Sequence, residues 1–392
     1  MWDFCAMKVI VNGIALLLPL TGIGQYIRHL FTAMQKQKQA EIYFYYGLRC
    51  EKGLRLPSQG QAKSSQNFYA LAKIWLPKPR SIKRWVEKSL FAWHTRSRGE
   101  DVLYHEPNFL PLPYAGPMVL TIYDLSCFDH PESHPAERLR LMNAILPKAI
   151  ERADHILVIS EATRAALTLW FDVKPERMST TYLAADARFH PRSIDTLSPI
   201  LAGVGLQAQG YVLCVGTLEP RKNLGVLFAA YSKLPPALRQ RYPLVIAGMS
   251  GWHTEDFMQS AQSLLKRQEL RLLGYVSDEL VAHLYSGAAA VCYPSRYEGF
   301  GLPALEAMAS GVPVITSNST SLPEVVGPDG LMVEPDDVDG FCENLRRVLE
   351  DRQFAAELGM RGCLRAQSFS WERCASETLA VYAQVMRQRS KH

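Results

Sequence analysis

Short apolar runs recur along the chain, and stretches with helical spacing separate them. KVIVNG at 8–13 is the first run; after it, LTGIGQYIRHLFTAM sets Ile23, Tyr26, Ile27, Leu30, Phe31 and Met34 at helical intervals. EIYFYYG, DVLYHEPNFLP, PMVLTIYDLSCF and DHILVIS continue the pattern in the first half. YVLCVG, YPLVIAG, RLLGYVS, AAVCY, VPVITS and GLMVE repeat it in the second. Runs that are apolar throughout, with no polar alternation, predict strands covered on both faces, hence parallel sheets clothed by helices. HPAERLRLMNAILPKAIERA and WERCASETLAVYAQVMRQR predict helices, and Ser160 with Glu161 and Thr163 starts another. Residues 49–66 read as loop and 193–209, with Ser, Gly, Gln and Pro199, as a linker. A chain of 392 residues is too long for one ordinary core. The pattern therefore predicts two doubly wound α/β domains, 1–195 and 196–370, followed by a helix in 371–392.

Three strand-to-helix junctions carry glycines. In CYPSRYEGFGLPALEAMASGVP, 292–313, the turn holds Gly299 and Gly301, and Pro303 fits the first helical turn, where a missing N–H costs nothing. Free N–H groups and the positive end of the helix dipole make such a junction an anion site. Glu298 and Glu306 bracket it. Two carboxylates flanking a glycine turn suit a ligand with hydroxyl pairs on both sides of a diphosphate, which describes a nucleotide sugar. YVLCVGTLEPRKNL, 211–224, repeats the design around Gly216, with Arg221 and Lys222 where the helix begins. Cations there oppose the helix dipole unless an anion joins them. Gly22 and Gly24 stand where backbone can approach a phosphate closely, although their spacing is not the dinucleotide fingerprint. Asp124 ends a strand and faces the ligand crevice if the sheet is parallel. The plainer readings are that Glu306 and Asp124 are caps, and that Glu298 and the Arg-Lys pair are solvated.

Together these stretches resemble the retaining nucleotide-sugar glycosyltransferases of the GT-B fold, family-four type, which include bacterial O-antigen and polysaccharide mannosyl- and rhamnosyltransferases. The matching residues are Gly216, Glu219, Arg221, Lys222 and Asn223, then Glu298, Gly299, Phe300, Gly301, Leu302, Pro303, Glu306, Ala307, Gly311 and Pro313, and SLPEVVG at 321–327 continues the match. The resemblance covers nearly the whole chain and is strongest from 211 to 335. It implies two Rossmann-like domains facing across a cleft, with the last helix crossing back to the first domain. The donor would lie on the second domain and the acceptor on the first. Arg221 and Lys222 would neutralise the diphosphate, so that no metal and no cofactor is expected. Glu306 would bind the ribose, Glu298 the donor sugar, and Gly22 and Gly24 would face the distal phosphate and sugar. The base would stack near Tyr275 and Val276, and the leaving phosphate would take the acceptor proton. The family's His-Asp-Leu stands here as Tyr123-Asp124-Leu125, so the histidine's role does not carry over to Tyr123. LTGIGQY and TIYDLS look most like mannosyl- and rhamnosyltransferases that use GDP-linked donors, which favours GDP over UDP. The alternatives are a nucleotide-sugar epimerase of the same fold and a non-catalytic nucleotide-sugar-binding protein.

Composition narrows the setting. Apolar residues make up 48% of the chain, yet no run approaches the roughly 18 residues that span a bilayer. ALLLPLTGIG is short, broken by Pro19 and Gly22, and lacks a signal-peptide layout. The first strand pattern opens at Met7, so residues 1–6 read as an upstream extension. Eight cysteines stand as singletons with no CxxC pair, which argues against zinc and for a reducing cytoplasm. The net charge of +5 is uneven: residues 1–195 carry 25 Lys and Arg against 18 Asp and Glu, and the remainder carries 18 against 20. Residues 67–98 hold eight Lys or Arg, one acid, and Phe68, Tyr69, Trp75, Trp85, Phe91 and Trp93. Basic residues interleaved with aromatics suit an anionic membrane surface, and no nucleic-acid module is present. The competing reading is a helix that turns its aromatics into the core. With the lipid-linked glycan acceptor that the resemblance implies, the expected place is the cytoplasm, peripheral at the inner face of the cytoplasmic membrane.

Overall fold

The structure is a computed structural model that describes residues 7–17, 22–47, 49–55, 89–96, 102–252 and 255–389, and of 255–258 the backbone alone. Two sheets organise it. The first contains β1 (Met7–Asn12), β2 (Ala40–Tyr45), β3 (Cys50–Lys52), β4 (Val102–Glu106), β5 (Met118–Ile122), β6 (His155–Val158) and β7 (Met178–Thr180), in the order β3-β2-β1-β4-β5-β6-β7. β3 pairs antiparallel with β2 at the edge, so the expectation of loop throughout 49–66 is corrected there. The other pairings are parallel. The second sheet contains β8 (Val212–Val215), β9 (Leu244–Ala247), β10 (Leu270–Gly274), β11 (Ala290–Tyr293), β12 (Val314–Ser317) and β13 (Leu331–Val333). Its order is β10-β9-β8-β11-β12-β13, all parallel.

The central strands are buried on both faces, as their unbroken apolar runs require. Along β1 the faces alternate: Val9 and Val11 join one buried cluster and Ile10 the other. In each domain strand order reverses beside the first strand, between β1 and β4 and between β8 and β11. Ligands bind at such switch points, outside the carboxyl ends of the strands. The loops leaving β1, β5, β8 and β11 accordingly meet in one cleft between the domains.

Residues 193–209 are not a simple linker. Ile194–Ala202 is a helix whose Ser193 side chain accepts a hydrogen bond from the Thr196 N–H at 3.3 Å, with Leu197 and Leu201 buried. The four-residue spacing of those leucines is a helical signal that Pro199 masks. The last helix, Trp371–Arg389, crosses to the first domain and lies along the helix Gly22–Gln37. Gln37 Nε2 donates to the Glu372 carbonyl and to Ser376 Oγ, both at 3.0 Å. The Tyr382 hydroxyl bonds His105 Nδ1 at 2.5 Å, and His105 Nε2 bonds Thr121 Oγ1 at 2.7 Å. Burial lowers the His105 imidazole to about 3, so this ring is a neutral bridge.

Of the basic stretch 67–98, a helix over 89–96 is described. Phe91 is fully buried there, 5.1 Å from the Tyr45 ring and 4.8 Å from Tyr104, whereas Trp93 is 63% exposed. The other aromatics of that stretch, and its lysines and arginines other than Arg96, lie outside the described residues. Among the described residues no helix is long and apolar enough to cross a membrane.

Candidate active site

The cleft encloses about 660 Å³ and takes its walls from both domains. On the second domain, β8 ends at Gly216, and the missing side chain of Gly248, after β9, lets two backbones meet. A Cβ on Gly248 would lie 1.8 Å from the Gly216 carbonyl oxygen. The chain then forms a 3-10 turn, Pro220–Lys222, passes Asn223 in the left-handed conformation at φ 56°, and enters the helix Leu224–Lys233. Arg221 and Lys222 therefore precede the helix. They are not the solvated pair that sequence alone allows, because Lys222 is buried and Arg221 nearly so.

Both point at Glu298, on the loop after β11. Lys222 Nζ donates to Glu298 Oε1 and to the Tyr293 hydroxyl, each at 2.6 Å. Tyr293 and Ser295 donate to the same oxygen at 2.7 and 2.6 Å. Arg221 Nη1 reaches Glu298 Oε2 at 3.1 Å and the Tyr297 carbonyl at 2.8 Å, while its Nε and Nη2 hold Glu219 at 3.1 and 2.6 Å. Burial alone would raise the Glu298 carboxyl, but Lys222 and Arg221 outweigh it and hold the group down to about 2. Burial, then the Arg221 charge, lowers the Lys222 ammonium from its ordinary value. The donor inventory follows: four of the five guanidinium hydrogens of Arg221 are engaged within the protein, and one of the three ammonium hydrogens of Lys222 remains for the cleft. Glu298 Oε1 is saturated, so the residue is first the counter-ion that positions Lys222, and only Oε2 has capacity for a ligand.

Beyond Glu298 the chain turns through Gly301 at φ 101° into the helix Leu302–Ala309. The N–H groups of Gly299, Phe300, Gly301 and Leu302 have no acceptor among the described residues. They border the cleft with Pro303 and Glu306. The Phe300 side chain itself is core, between Tyr182 and Phe369. Among the described residues Glu306 has no cation in hydrogen-bond contact, and the buried Tyr285 hydroxyl beside it has no partner of ordinary geometry. Burial pushes the Glu306 carboxyl up to about 8, and the Asp278 charge adds to the rise. Asp278 ties the domains together by accepting from Gln25 Nε2 at 3.0 Å and Arg188 Nη1 at 3.1 Å. Arg188 and His29 also hold Asp186, at 2.9 and 3.2 Å.

The first-domain wall approaches closely. A Cβ on Gly299 would lie 2.1 Å from the Tyr123 carbonyl oxygen and 3.0 Å from the Asp124 side chain. Asp124 lines the cleft, and its Oδ1 accepts from Ser126 N–H at 3.0 Å and from Ser126 Oγ at 2.6 Å. The Tyr123 hydroxyl donates to the Pro107 carbonyl at 2.7 Å, so it is committed to its own domain. Glu324, in the helix Leu322–Val326, accepts from the N–H groups of Glu161 and Ala162 at 2.8 and 2.7 Å, capping a first-domain helix from across the boundary.

Residues 205–363 match the family model for glycosyl transferases group 1. Over 380 residues the chain is 37% identical to an O-antigen chain mannosyltransferase B of Escherichia coli, spanning 96% of this chain and 99% of the relative. The chain belongs to the group 1 glycosyl transferases. Among solved structures, a sucrose-phosphate synthase from Thermosynechococcus elongatus aligns with a TM-score of 0.74 at 20% identity, covering 97% of this chain and 99% of the other. WaaG, a glycosyltransferase involved in lipopolysaccharide biosynthesis, aligns with a TM-score of 0.69 at 16% identity, over 95% and 99%. These two likenesses carry the fold: two parallel-sheet α/β domains facing across a cleft, as expected from the sequence.

For this glycosyltransferase most of the singled-out residues converge. Gly22, Asp124, Gly216, Glu219, Arg221, Lys222, Glu298, Gly299, Phe300, Gly301, Leu302 and Glu306 all line the cleft. Gly24 does not, being buried within its helix. Tyr275 and Val276 do not either: Tyr275 is 72% exposed, and Asp278 and Val281 form that part of the wall. One Asp-x-Asp triplet stands in the chain, Asp337-Val338-Asp339, and it is engaged elsewhere. Asp337 caps its own helix through the Gly340 N–H at 2.9 Å, and Asp339 pairs with Lys233 at 2.7 Å. Sequence reasoning missed Tyr293 and Ser295, which clamp Glu298, and Asp186, Arg188 and Asp278. Hydroxyl-bearing residues at and just beyond the end of an apolar strand were the available signal for the first two.

Proposed function

We propose that the protein transfers a hexose, mannose or a deoxyhexose, from a GDP-linked donor to a hydroxyl of a lipid-linked glycan, with retention of the anomeric configuration, in bacterial O-antigen synthesis. One observation carries the reading: the spare ammonium hydrogen of Lys222, four N–H groups without an acceptor among the described residues, and Glu306 border one cleft. In the reaction the bond between the anomeric carbon and the diphosphate oxygen breaks. The acceptor oxygen bonds to that carbon on the same face, and its proton passes to the leaving phosphate. Preorganised donors aimed at the leaving oxygen supply the stabilisation, so the step needs no metal ion. Glu306 accepts from the ribose hydroxyls. The E. coli relative named as an O-antigen chain mannosyltransferase supports the choice of sugar and pathway.

The test is a panel of labelled nucleotide sugars with and without methyl α-mannoside, in excess chelator. Consumption of GDP-mannose that depends on the acceptor and survives chelation is the expected result. An epimer formed without acceptor would point to the epimerase, and binding without turnover to the non-catalytic protein. Activity lost in chelator and restored by magnesium or manganese would overturn the metal-independent step. The basic stretch 67–98 supports peripheral binding to anionic membranes, at about 1 kcal/mol per Lys or Arg near the surface at low salt. Flotation with anionic vesicles at low salt is expected to carry the parent, but not a variant with Lys78, Arg80, Lys83, Arg84 and Lys88 changed to Gln. A parent that stays unbound ends the membrane proposal.

A further inference from the structure

The first-domain wall contains a hydrogen-bond chain that the reaction described above does not use. Ser126 is buried at the start of the short helix Ser126–Asp129, and its Oγ stands 2.6 Å from Asp124 Oδ1 and 3.0 Å from His134 Nε2. An ionised carboxylate only accepts, so the single hydroxyl hydrogen of Ser126 goes to Asp124. Ser126 Oγ must then accept, and His134 Nε2 must carry a hydrogen. His134 Nδ1 is therefore the bare nitrogen of a neutral ring, and it is buried with no partner among the described residues. A proton placed there would find no acceptor. The charged groups that act on the ring are Arg138, Asp124, Arg221, Glu219 and Glu132. Burial and the strongest of these charges, Arg138, both disfavour the imidazolium. The second domain closes over the chain: Trp252 Nε1 donates to the Ser133 carbonyl at 2.6 Å, and its ring lies 6.2 Å from that of His134.

Asp124 Oδ1 thus takes two hydrogen bonds from Ser126, and Oδ2 takes none among the described residues. We propose that His134 is a positioning residue that, through Ser126, fixes the Asp124 carboxylate so that Oδ2 faces the cleft and accepts a hydrogen bond from a hydroxyl of the sugar acceptor. Asp124 orients the acceptor and takes no proton from it. The inference rests on the transferase reading, and it assigns a carbohydrate-hydroxyl subsite to the first-domain wall beside Trp252 and Arg138.

The experiment compares parent, His134→Ala, His134→Gln, Ser126→Ala and the double variant in two assays. One is transfer from labelled GDP-mannose to methyl α-mannoside; the other is donor hydrolysis without acceptor. His134→Ala is expected to lower kcat/KM for the acceptor about tenfold, while acceptor-free hydrolysis and GDP affinity stay within twofold. His134→Gln, whose amide nitrogen can stand where Nε2 stands, is expected to recover most of the loss. The double variant is expected to be no worse than Ser126→Ala alone, because the two residues act in series. Acceptor kinetics within twofold of the parent in His134→Ala overturn the proposal. Equal loss in both assays, or no recovery in His134→Gln while that variant melts like the parent, overturn it too. No transfer by the parent itself is a failure of the transferase reading, seen before any variant is compared.

Discussion

Glu298 and Glu306 stand eight positions apart and both border one cleft, yet they are built in opposite ways. Glu298 is enclosed by Lys222, Arg221, Tyr293 and Ser295, and its carboxyl is held down to about 2. Glu306 touches no cation among the described residues, and burial raises its carboxyl to about 8. A charge that the protein has already neutralised is a part of the scaffold. A buried carboxyl with no cation beside it gains most from a ligand that brings hydroxyls. On the proposed reading, the turn between them joins a preassembled end, which holds the Lys222 ammonium, to an end that a nucleotide would complete.

Removing the cation should have the largest effect. Lys222→Ala deletes the ammonium hydrogen left for the diphosphate, and a lost donor of that kind typically costs about 10²–10³ in rate. Because the pair is buried, stability falls as well, by less than the roughly 3–5 kcal/mol that a buried charge left alone costs, since Arg221 still pairs with Glu298. Arg221 should act differently. Its donors are mostly engaged with Glu219, Tyr297 and Glu298, so Arg221→Ala is expected to melt earlier than Lys222→Ala and to lose less turnover per folded molecule. Turnover and thermal melts measured side by side decide. If Arg221→Ala keeps the parent's melting temperature and loses all transfer, the arginine serves the ligand directly.

Gly299 breaks the other relation, between the two walls. Its φ is not in the left-handed region; the constraint is the Tyr123 carbonyl, 2.1 Å from where a Cβ would stand, in the other domain. Gly299→Ala should force the domains apart by about an ångström. Misplacement on that scale costs about 10² in rate, while GDP, which the proposed reading seats on the second domain, should keep its affinity. Transfer within threefold of the parent would show that the walls need not meet this closely.

The fold was legible because apolar strands and helical spacing repeat with few interruptions, and the site because an anion turn needs glycine and free N–H groups at fixed places. Burial of the cations was not. Lysine and arginine in a polar loop read as solvated, and the partner that takes Lys222 inside lies 76 positions away. The resemblance implied Tyr275 beside the base, but this part of the wall is made by Asp278 and Val281. The Trp252 contact depends on loops of different domains meeting, which no local pattern records.

Glu306 offers a test by pH. Its carboxyl is near 8 in the folded protein and near 4.5 in an ordinary setting, so the folded state holds the proton more tightly. That contribution to stability is full below about pH 4.5 and is lost as pH rises through 8. Relative to the parent, Glu306→Gln should therefore gain stability as pH rises from 6 to 9. GDP should behave in the opposite sense. Its ribose hydroxyls donate best to the ionised form, so the parent's affinity should rise about fivefold to tenfold from pH 7 to pH 9. Glu306→Gln should lose that rise and bind about tenfold more weakly at pH 9. Titration of both proteins with GDP at several pH values is the measurement, and parallel curves would remove Glu306 from the ribose site.

The smallest expected effect probes the contact that holds the walls in register away from the chemistry. Glu324 presents both carboxylate oxygens to the first-domain helix Glu161–Phe171, one to each of its first two N–H groups, and also meets the Tyr182 hydroxyl at 3.2 Å. Those N–H groups have no partner within their own helix, and a negative charge there is favoured by the helix dipole. Glu324→Gln keeps the shape, removes the charge, and turns one acceptor into a donor facing an N–H. Weakening a cap of this kind costs about 1 kcal/mol, and here the cost falls on the closed arrangement of the domains, because cap and helix belong to different ones. A loss of 1 kcal/mol in that equilibrium corresponds to about fivefold in the closed population, so transfer should drop about fivefold with GDP affinity and second-domain stability unchanged. Low-angle scattering of the GDP-bound protein should show the variant more extended than the parent. An equal fall in GDP affinity, or unchanged transfer, would mean that Glu324 stabilises its own domain and that closure does not depend on it.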